Sequence, residues 1–310
     1  MPVYNEGDFI YENVCTVDKI LFSKDIQHKF LLVDDGSKDN SWQEMCRLAD
    51  DKPHVSVIRL SRNFGKEYAL CAALENAAGD AVGVMDSDLQ HPPELIPEMV
   101  RLWQEEGYDV VEGVKADRGK ESLGGKIAAL TFYKLFKSST KIDIGIASDF
   151  KLMNRKALDA WKQMPERNTF FRGLSAWVGF NRYALPFEVA PRAGGETKWT
   201  LKGLIRLAIN SITSYTAAPL FMVFWLGLIM LFAGAILGVQ TLANYFMGRA
   251  ADGFSTVILL QLLIGSGIMI SLSIIGLYLA KVYEEVKGRP RYLIKEQRGD
   301  AILPDQKPVR

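Results

Sequence analysis

Apolar positions along the first two thirds of the chain fall into short runs separated by amphipathic stretches. "KFLLVDD" (Lys29 to Asp35), "HVSVIRL" (His54 to Leu60), "AVGVMD" (Ala81 to Asp86) and "YDVVEGV" (Tyr108 to Val114) predict buried strands. Between them, Ser41 to Asp51, Lys66 to Ala78 and Pro93 to Glu106 repeat apolar residues at helical spacing. Gly79 ends the second of these, and Pro92-Pro93 opens the third where proline favours a helix start. Such alternation predicts an α/β domain, a doubly wound and mainly parallel sheet covered on both faces. Ligands of these sheets gather beyond the carboxyl ends of the strands. Asp34-Asp35 close one predicted strand and Asp86 closes another. The chain opens on "MPVYNEGDF", the loop-and-helix half of a βα unit with almost no strand before it. Ordinary strands run to about five residues, so either the start codon is misplaced or the beginning of a central strand is missing.

Past Pro191 the pattern changes. Leu207 to Gly248 and Gly253 to Ala280 contain no charged residue. Crossing a bilayer takes about 20 mostly apolar residues, and each stretch supplies them. Two buried core helices are the alternative, but two adjacent runs of this length speak against it. Their position near the C-terminus excludes a signal peptide. Lys198, Lys202 and Arg206 precede the first run, and "KVYEEVKGRPRYLIKEQR" follows the second, whereas the short connection carries only Arg249. By the positive-inside rule both flanks face the cytoplasm, which puts the protein in the inner or plasma membrane. "TLKGLIRLAINSITSYT" spaces its apolar residues as a helix lying along the membrane surface would. The expected division is a cytosolic domain over residues 1–198, an interfacial amphipathic helix over 199–216, a two-helix transmembrane hairpin over 217–283 and a basic cytoplasmic tail over 284–310.

Composition changes this picture little. The 310 residues carry a net charge of +1, from 37 basic and 36 acidic side chains, so no basic surface argues for nucleic acid. Cys15, Cys46 and Cys71 form no C-x-x-C pair and read as reduced thiols. His28, His54 and His91 are dispersed, which argues against a zinc site.

The chemistry centres on "VMDSDLQHPP". Asp86 and Asp88 flank one serine at a strand end, where both carboxylates can face one small volume. Hard oxygen ligands suit Mg²⁺ or Mn²⁺, and Gln90 offers an amide oxygen nearby. Alone, the triplet also occurs in solvated acidic loops. Three companions strengthen it. "PVYNE" places Tyr4 and Glu6 at the first strand's mouth, where an aromatic face and a carboxylate can grip a base. "VDDGSKDNS" sets Asp34 and Asp35 before a turn that Gly36 permits, although Asp-Gly-Ser is also ordinary turn chemistry. "SRNFGKEYAL" brings Arg62, Asn63 and Lys66 to a helix N-terminus, which favours anions, though Lys66 also fits a solvated first turn. Together they describe a site for a nucleotide diphosphate and its metal.

These four motifs, in this order, resemble the signature series of family-2 glycosyltransferases, and among them the polyprenyl-phosphate glycosyltransferases such as bactoprenol glucosyltransferases and dolichol-phosphate mannose synthases. The resemblance covers nearly the whole chain. It implies a GT-A fold followed by two C-terminal transmembrane helices, a nucleotide-sugar donor, Mg²⁺ or Mn²⁺ as cofactor, and inversion at the anomeric carbon. On that pattern Pro2, Tyr4, Glu6, Asp34, Asp35, Lys66 and Asp86 bind the nucleotide, and Asp86, Asp88 and Gln90 hold the metal and diphosphate. Asp88 and Asp149, the latter in "IASDFKLMNR", are the catalytic candidates. Lys115, Arg118 and Lys126 would hold the lipid phosphate, joined by Arg192 and Lys198 from the loop "APRAGGETKW". Arg172 in "FFRGLSAWVGF" is a weaker candidate, and His91, adjacent to the metal loop, reads either as a support behind the ligands or as structural. The partners implied are a donor (UDP-glucose is first choice, from "SRNFGKEYAL" and "ASDF"), a polyprenyl-phosphate acceptor and the bilayer; apart from the resemblance, two spans alone offer little surface, which leaves room for a second copy of the chain. The lipid-linked sugar would serve modification of a cell-envelope glycan.

Two rivals remain. A processive polysaccharide synthase on the same fold would carry a Gln-x-x-Arg-Trp motif and more spans. A non-catalytic membrane scaffold would have no need of intact Asp86, Asp88 and Glu6.

Overall fold

The computed structural model describes residues 1–115, 147–164, 166, 171–187, 213, 217–248 and 254–299. The first strands and helices form where the apolar pattern places them. Strands β1 (Pro2–Val3), β2 (Phe30–Asp34) and β3 (Val55–Leu60) pair in parallel, with β2 in the centre. Helices α1 (Ile10–Ser23), α2 (Ser41–Asp51) and α3 (Lys66–Glu75) connect these strands and lead on to β4 (Ala81–Val84).

The second sheet is mixed, with β4 and β5 (Val110–Lys115) flanking β6 (Ala147–Asn154) antiparallel, and β7 (Arg182–Phe187) parallel to β5. Strand–helix alternation gives the parallel pairing of β1, β2 and β3 and carries the chain as far as β5. Beyond it β6 enters between two earlier strands, an order that alternation does not encode. A single turn, Pro93–Leu95, leads into α4 (Ile96–Glu106), which ends at Gly107 in the left-handed conformation. Asn154 closes β6 and caps α5 (Arg155–Lys162), its side chain accepting from the Ala157 amide at 2.8 Å. Helix α6 (Phe171–Trp177) precedes β7. One apolar core runs through both sheets, with Val3, Leu32 and Val57 from the first and Val111, Phe150 and Leu152 from the second. Burial of these apolar side chains from both sheets in one core ties the two sheets together.

The chain separates into two compact units, residues Met1–Trp199 with Pro290–Arg310, and residues Thr200–Arg289. The second contains α7 (Ala218–Phe246) and α8 (Phe254–Val286). Within them, Pro219–Asn244 and Leu260–Val286 are long and apolar enough to cross a membrane, with mean hydropathies of 2.6 and 2.1. Neither is a buried core helix, since 0% and 6% of their most apolar windows are covered. Side chains such as Phe221, Trp225, Ile229 and Phe232 stand exposed. The two helices touch where Gly267 faces Met230, and a Cβ at Gly267 would collide with that side chain. Small residues allow this close approach in membrane helix pairs.

After α8 the chain returns to the first unit. Residues read from sequence as part of a tail form β8 (Ile294–Arg298), antiparallel to β3. Arg291 and Tyr292 fasten this return to Glu75 at the end of α3, at 3.0 and 2.7 Å. The charged sequence "IKEQR" is what an exposed edge strand carries, and by composition it is indistinguishable from a tail.

Candidate functional site

The carboxyl ends of β1, β2 and β4 meet at a cleft of about 260 Å³ lined by Pro2, Tyr4, Glu6, Asp35, Asn63, Lys66, Asp86 and Asp88, among others. Its walls are stitched loop to loop. The Asn5 amide donates to Ser37 Oγ at 2.9 Å, the Glu6 amide to Ser41 Oγ at 2.8 Å and the Gly7 amide to Asp39 Oδ2 at 3.1 Å. Asn5 holds a left-handed φ of 53° within this lattice. Gly36 adopts φ 69°, and a Cβ there would stand 2.6 Å from the Arg62 carbonyl carbon. Only glycine lets the two loops approach so closely.

Strand alternation separates the two adjacent aspartates. Asp35 lines the cleft and accepts from the Phe64 and Gly65 amides at 2.7 and 2.9 Å. Burial raises its pKa, and Asp34 pushes the same way against those two amides. Asp34, expected on the nucleotide, instead turns inward. It is fully buried, accepts from the Ser37 amide at 2.9 Å and pairs with Arg59 Nε at 3.1 Å. Its work is to hold the turn.

The Asp86–Asp88 turn is fixed from behind. Asn13 Nδ2 donates to the Ser87 carbonyl at 2.7 Å. His91 Nδ1 accepts from the Asp86 amide at 3.3 Å, so its proton sits on Nε2, and its ring stacks on Phe150 at 5.2 Å. Burial lowers the His91 pKa against the pull of Asp86. Leu89 takes a left-handed φ of 54°, a conformation that bulky residues adopt only where their surroundings impose it. The Gln90 amide folds back to Asp88 Oδ1 at 3.1 Å, and its side chain is not among the cleft's lining.

Lys66 sits between two carboxylates, Asp86 and Asp149. Its Nζ stands 2.7 Å from Asp86 Oδ1 and 2.8 Å from Asp149 Oδ2. Burial opposes the charge on Lys66, but Asp149 and Asp86 raise its pKa above the usual lysine value. Asp149, on β6, also receives Arg172 Nε at 2.7 Å. Burial alone would raise the Asp149 pKa; Arg172 and Lys66 together hold it well below the usual carboxylate range. The sequence ranked Arg172 low because an arginine within an aromatic helix shows no partner until β6 is placed beside it.

The donor set suits a hard dication. Four carboxylates line the cleft, Glu6, Asp35, Asp86 and Asp88, against one ammonium, Lys66. Asp86 Oδ1 is buried and receives no directed hydrogen bond, although Lys66 lies close. Oxygen ligands with surplus negative charge are what Mg²⁺ or Mn²⁺ accept. A second cluster lies away from the cleft, where His28 and His54, far apart in sequence, meet Asp18 at 2.8 and 2.9 Å. That carboxylate already holds Lys52 at 2.6 Å, which balances its charge.

Of the basic residues expected at the acceptor phosphate, Lys115 is the last residue of β5. Arg118, Lys126, Arg192 and Lys198 lie outside the described residues, as does nearly all of the expected interfacial helix over 199–216.

Comparison with known proteins gives the following. The family model described as "Glycosyl transferase family 2" matches residues 1–161. The chain is 38% identical over 309 residues to an uncharacterized glycosyltransferase of Synechocystis sp., covering 99% of this chain and 97% of that one. It is 37% identical over 301 residues to an uncharacterized glycosyltransferase of Bacillus subtilis, covering 96% and 93%. It is 35% identical over 299 residues to the bactoprenol glucosyl transferase of Shigella phage SfII, covering 96% of each.

Proposed function

The chain belongs to glycosyl transferase family 2, a GT-A glycosyltransferase, and from that premise we propose that it transfers glucose from UDP-glucose to a polyprenyl phosphate, with inversion, at the cytoplasmic face of the membrane. One observation carries this reading: an acidic cleft with a lysine at its centre, in the same chain as two uncovered apolar helices. A lipid-phosphate acceptor presents its head group at a bilayer surface, so its enzyme gains by being held there. The relative that carries the bactoprenol glucosyl transferase name aligns along the catalytic unit and both helices alike.

The mechanism follows from the charges. A phosphomonoester has its second pKa near 6, so at neutral pH the attacking oxygen is largely ionised already. The protein then needs no strong base, and Asp149, kept ionised by Arg172 and Lys66, is unsuited to be one. Its part is to hold Lys66 beside Asp86, where the ammonium can meet the departing diphosphate. Tyr4 offers an exposed ring to the base beside Asp35 and Glu6. When bound by Asp86 and Asp88, Mg²⁺ or Mn²⁺ supplies neutralisation of the diphosphate charge. Positioning and charge complementarity carry the rate. Lys115, Arg118, Lys126, Arg192 and Lys198 are assigned to the acceptor phosphate.

The membrane placement is part of the same proposal. The chain leaves the catalytic unit at Trp199 and re-enters it at Pro290. Two crossings return it to one side, in agreement with the basic flanks of the hairpin.

The test is to incubate membranes containing the protein with labelled nucleotide sugars and polyprenyl phosphate. UDP-glucose should give a labelled glycolipid. Labelling only from another donor would overturn the sugar assignment, and transfer to water or to a growing glycan alone would overturn the acceptor.

A further inference from the structure

Glu67 follows the lysine of the cleft but points elsewhere. Its Oε2 accepts from the Phe171 amide, the first of α6, at 2.8 Å. The next residue of that helix, Arg172, holds Asp149. One turn further on, Ser175 Oγ receives Lys151 Nζ at 2.6 Å. Asp149 and Lys151 are alternate residues of β6 and so share a face. Helix α6 therefore rests on two points of one strand and on one carboxylate of α3. Glu67 is partly buried and absent from the cleft's lining.

We propose that Glu67 is a positioning residue for sugar transfer. By holding the first amide of α6 it sets the height of Arg172 on Asp149, and through Asp149 the place of Lys66 beside Asp86. The first turn of α3 thus places both ends of the chain of charges, Lys66 in the cleft and Glu67 behind it. The inference rests on the donor-site reading of the cleft and deepens it.

The surroundings of Glu67 make its contact depend on pH. Burial pushes its pKa up to about 7, and Asp149 adds to that against the Phe171 amide, Arg172 and Lys66. Above that pH the carboxylate is ionised and is the stronger acceptor for the amide; below it the protonated acid grips more weakly.

The test compares Glu67→Ala and Glu67→Gln in the purified full chain, because glutamine keeps an acceptor oxygen without the titrating charge. Glu67→Ala should lose about tenfold to a hundredfold in kcat, the scale of one charge-assisted contact, while donor affinity by calorimetry stays within about threefold. Glu67→Gln should recover only part of that loss, since its neutral oxygen grips the amide much as the protonated acid does, and it should lack the inflection near neutral pH that the parent protein shows. Amide exchange at Phe171 should speed up in Glu67→Ala and stay slow in Glu67→Gln. Unchanged kcat in folded Glu67→Ala, or equal losses in both variants, would overturn the proposal. The exchange measurement needs no substrate, so it distinguishes failure of the Glu67 contact from failure of the functional reading, which would show as a parent protein that transfers no sugar.

Discussion

The Arg172 guanidinium grips Asp149 twice, Nε to Oδ1 at 2.7 Å and Nη2 to Oδ2 at 3.1 Å. Lys66 approaches the same carboxylate from the cleft side. Two cations outweigh the burial of Asp149 and keep it ionised. Removing one of them should shift that balance.

Arg172→Ala should therefore lower kcat by about tenfold to a hundredfold, the range for hydrogen bonds to charged groups. With Arg172 gone, burial gains weight and the Asp149 pKa climbs. Activity should then fall off on the acid side, where the parent enzyme is still limited only by other groups. Arg172→Lys should recover only part of the loss, since an ammonium cannot make the two-pronged contact. Rates measured across the acid range decide it, and an unshifted acid limb in Arg172→Ala would contradict the assignment.

Gly36→Ala should destabilise the catalytic unit by at least about 1 kcal/mol, since it adds a Cβ both to a left-handed residue and against the Arg62 backbone. The same loop presents Asp35, so nucleotide affinity should drop with stability. Denaturant titration alongside nucleotide calorimetry checks both, and full stability would mean that the two loops can part without cost.

The Asp18 cluster makes a prediction about pH. Burial raises the Asp18 pKa, but Lys52, His28 and His54 outweigh it and lower the value to about 2. A carboxyl depressed on folding stabilises above its unfolded pKa, near 4, and that stability disappears as pH falls through 2. The shift is worth about 2 kcal/mol. Asp18→Asn should thus be less stable than the parent protein at neutral pH, with the gap narrowing steadily below about pH 4. A gap that stays constant into acid would exclude the linkage.

For the membrane placement, single cysteines at Lys24, Gln297 and Met247 in a cysteine-free background should label from opposite sides. Lys24 and Gln297, exposed on the catalytic unit, should react only from the cytoplasm, and Met247, at the exposed end of α7, only from the other face. Labelling of Gln297 from outside would break the hairpin topology.

Sequence and structure agree where the signal is local. Strand ends at Asp35 and Asp86, the turn at Gly36 and the start of α3 at Lys66 follow from periodicity and turn chemistry, and so do α7 and α8 from apolar length. The cleft then brings together Pro2, Tyr4, Glu6, Asp35, Lys66, Asp86 and Asp88, as their place at neighbouring strand ends implies. What sequence could not supply is pairing at a distance. Asp34 sits beside Asp35 but is turned to Arg59 by the pleat. Glu67 and Arg172 are 105 positions apart, and nothing short of β6 beside α6 makes them part of one arrangement. His28 and His54 look dispersed until β2 and β3 pair and bring both to Asp18. Ile294 to Arg298 reads as a solvated tail because an edge strand is charged on purpose.

The most direct measurement uses the purified protein in vesicles with UDP-glucose, with and without polyprenyl phosphate. Release of UDP should depend on the lipid phosphate and match the glucosyl lipid formed mole for mole. It should disappear when a chelator is added and in Asp88→Asn, with the protein still folded. UDP release that ignores the lipid phosphate, or turnover that persists in chelator, would contradict the account.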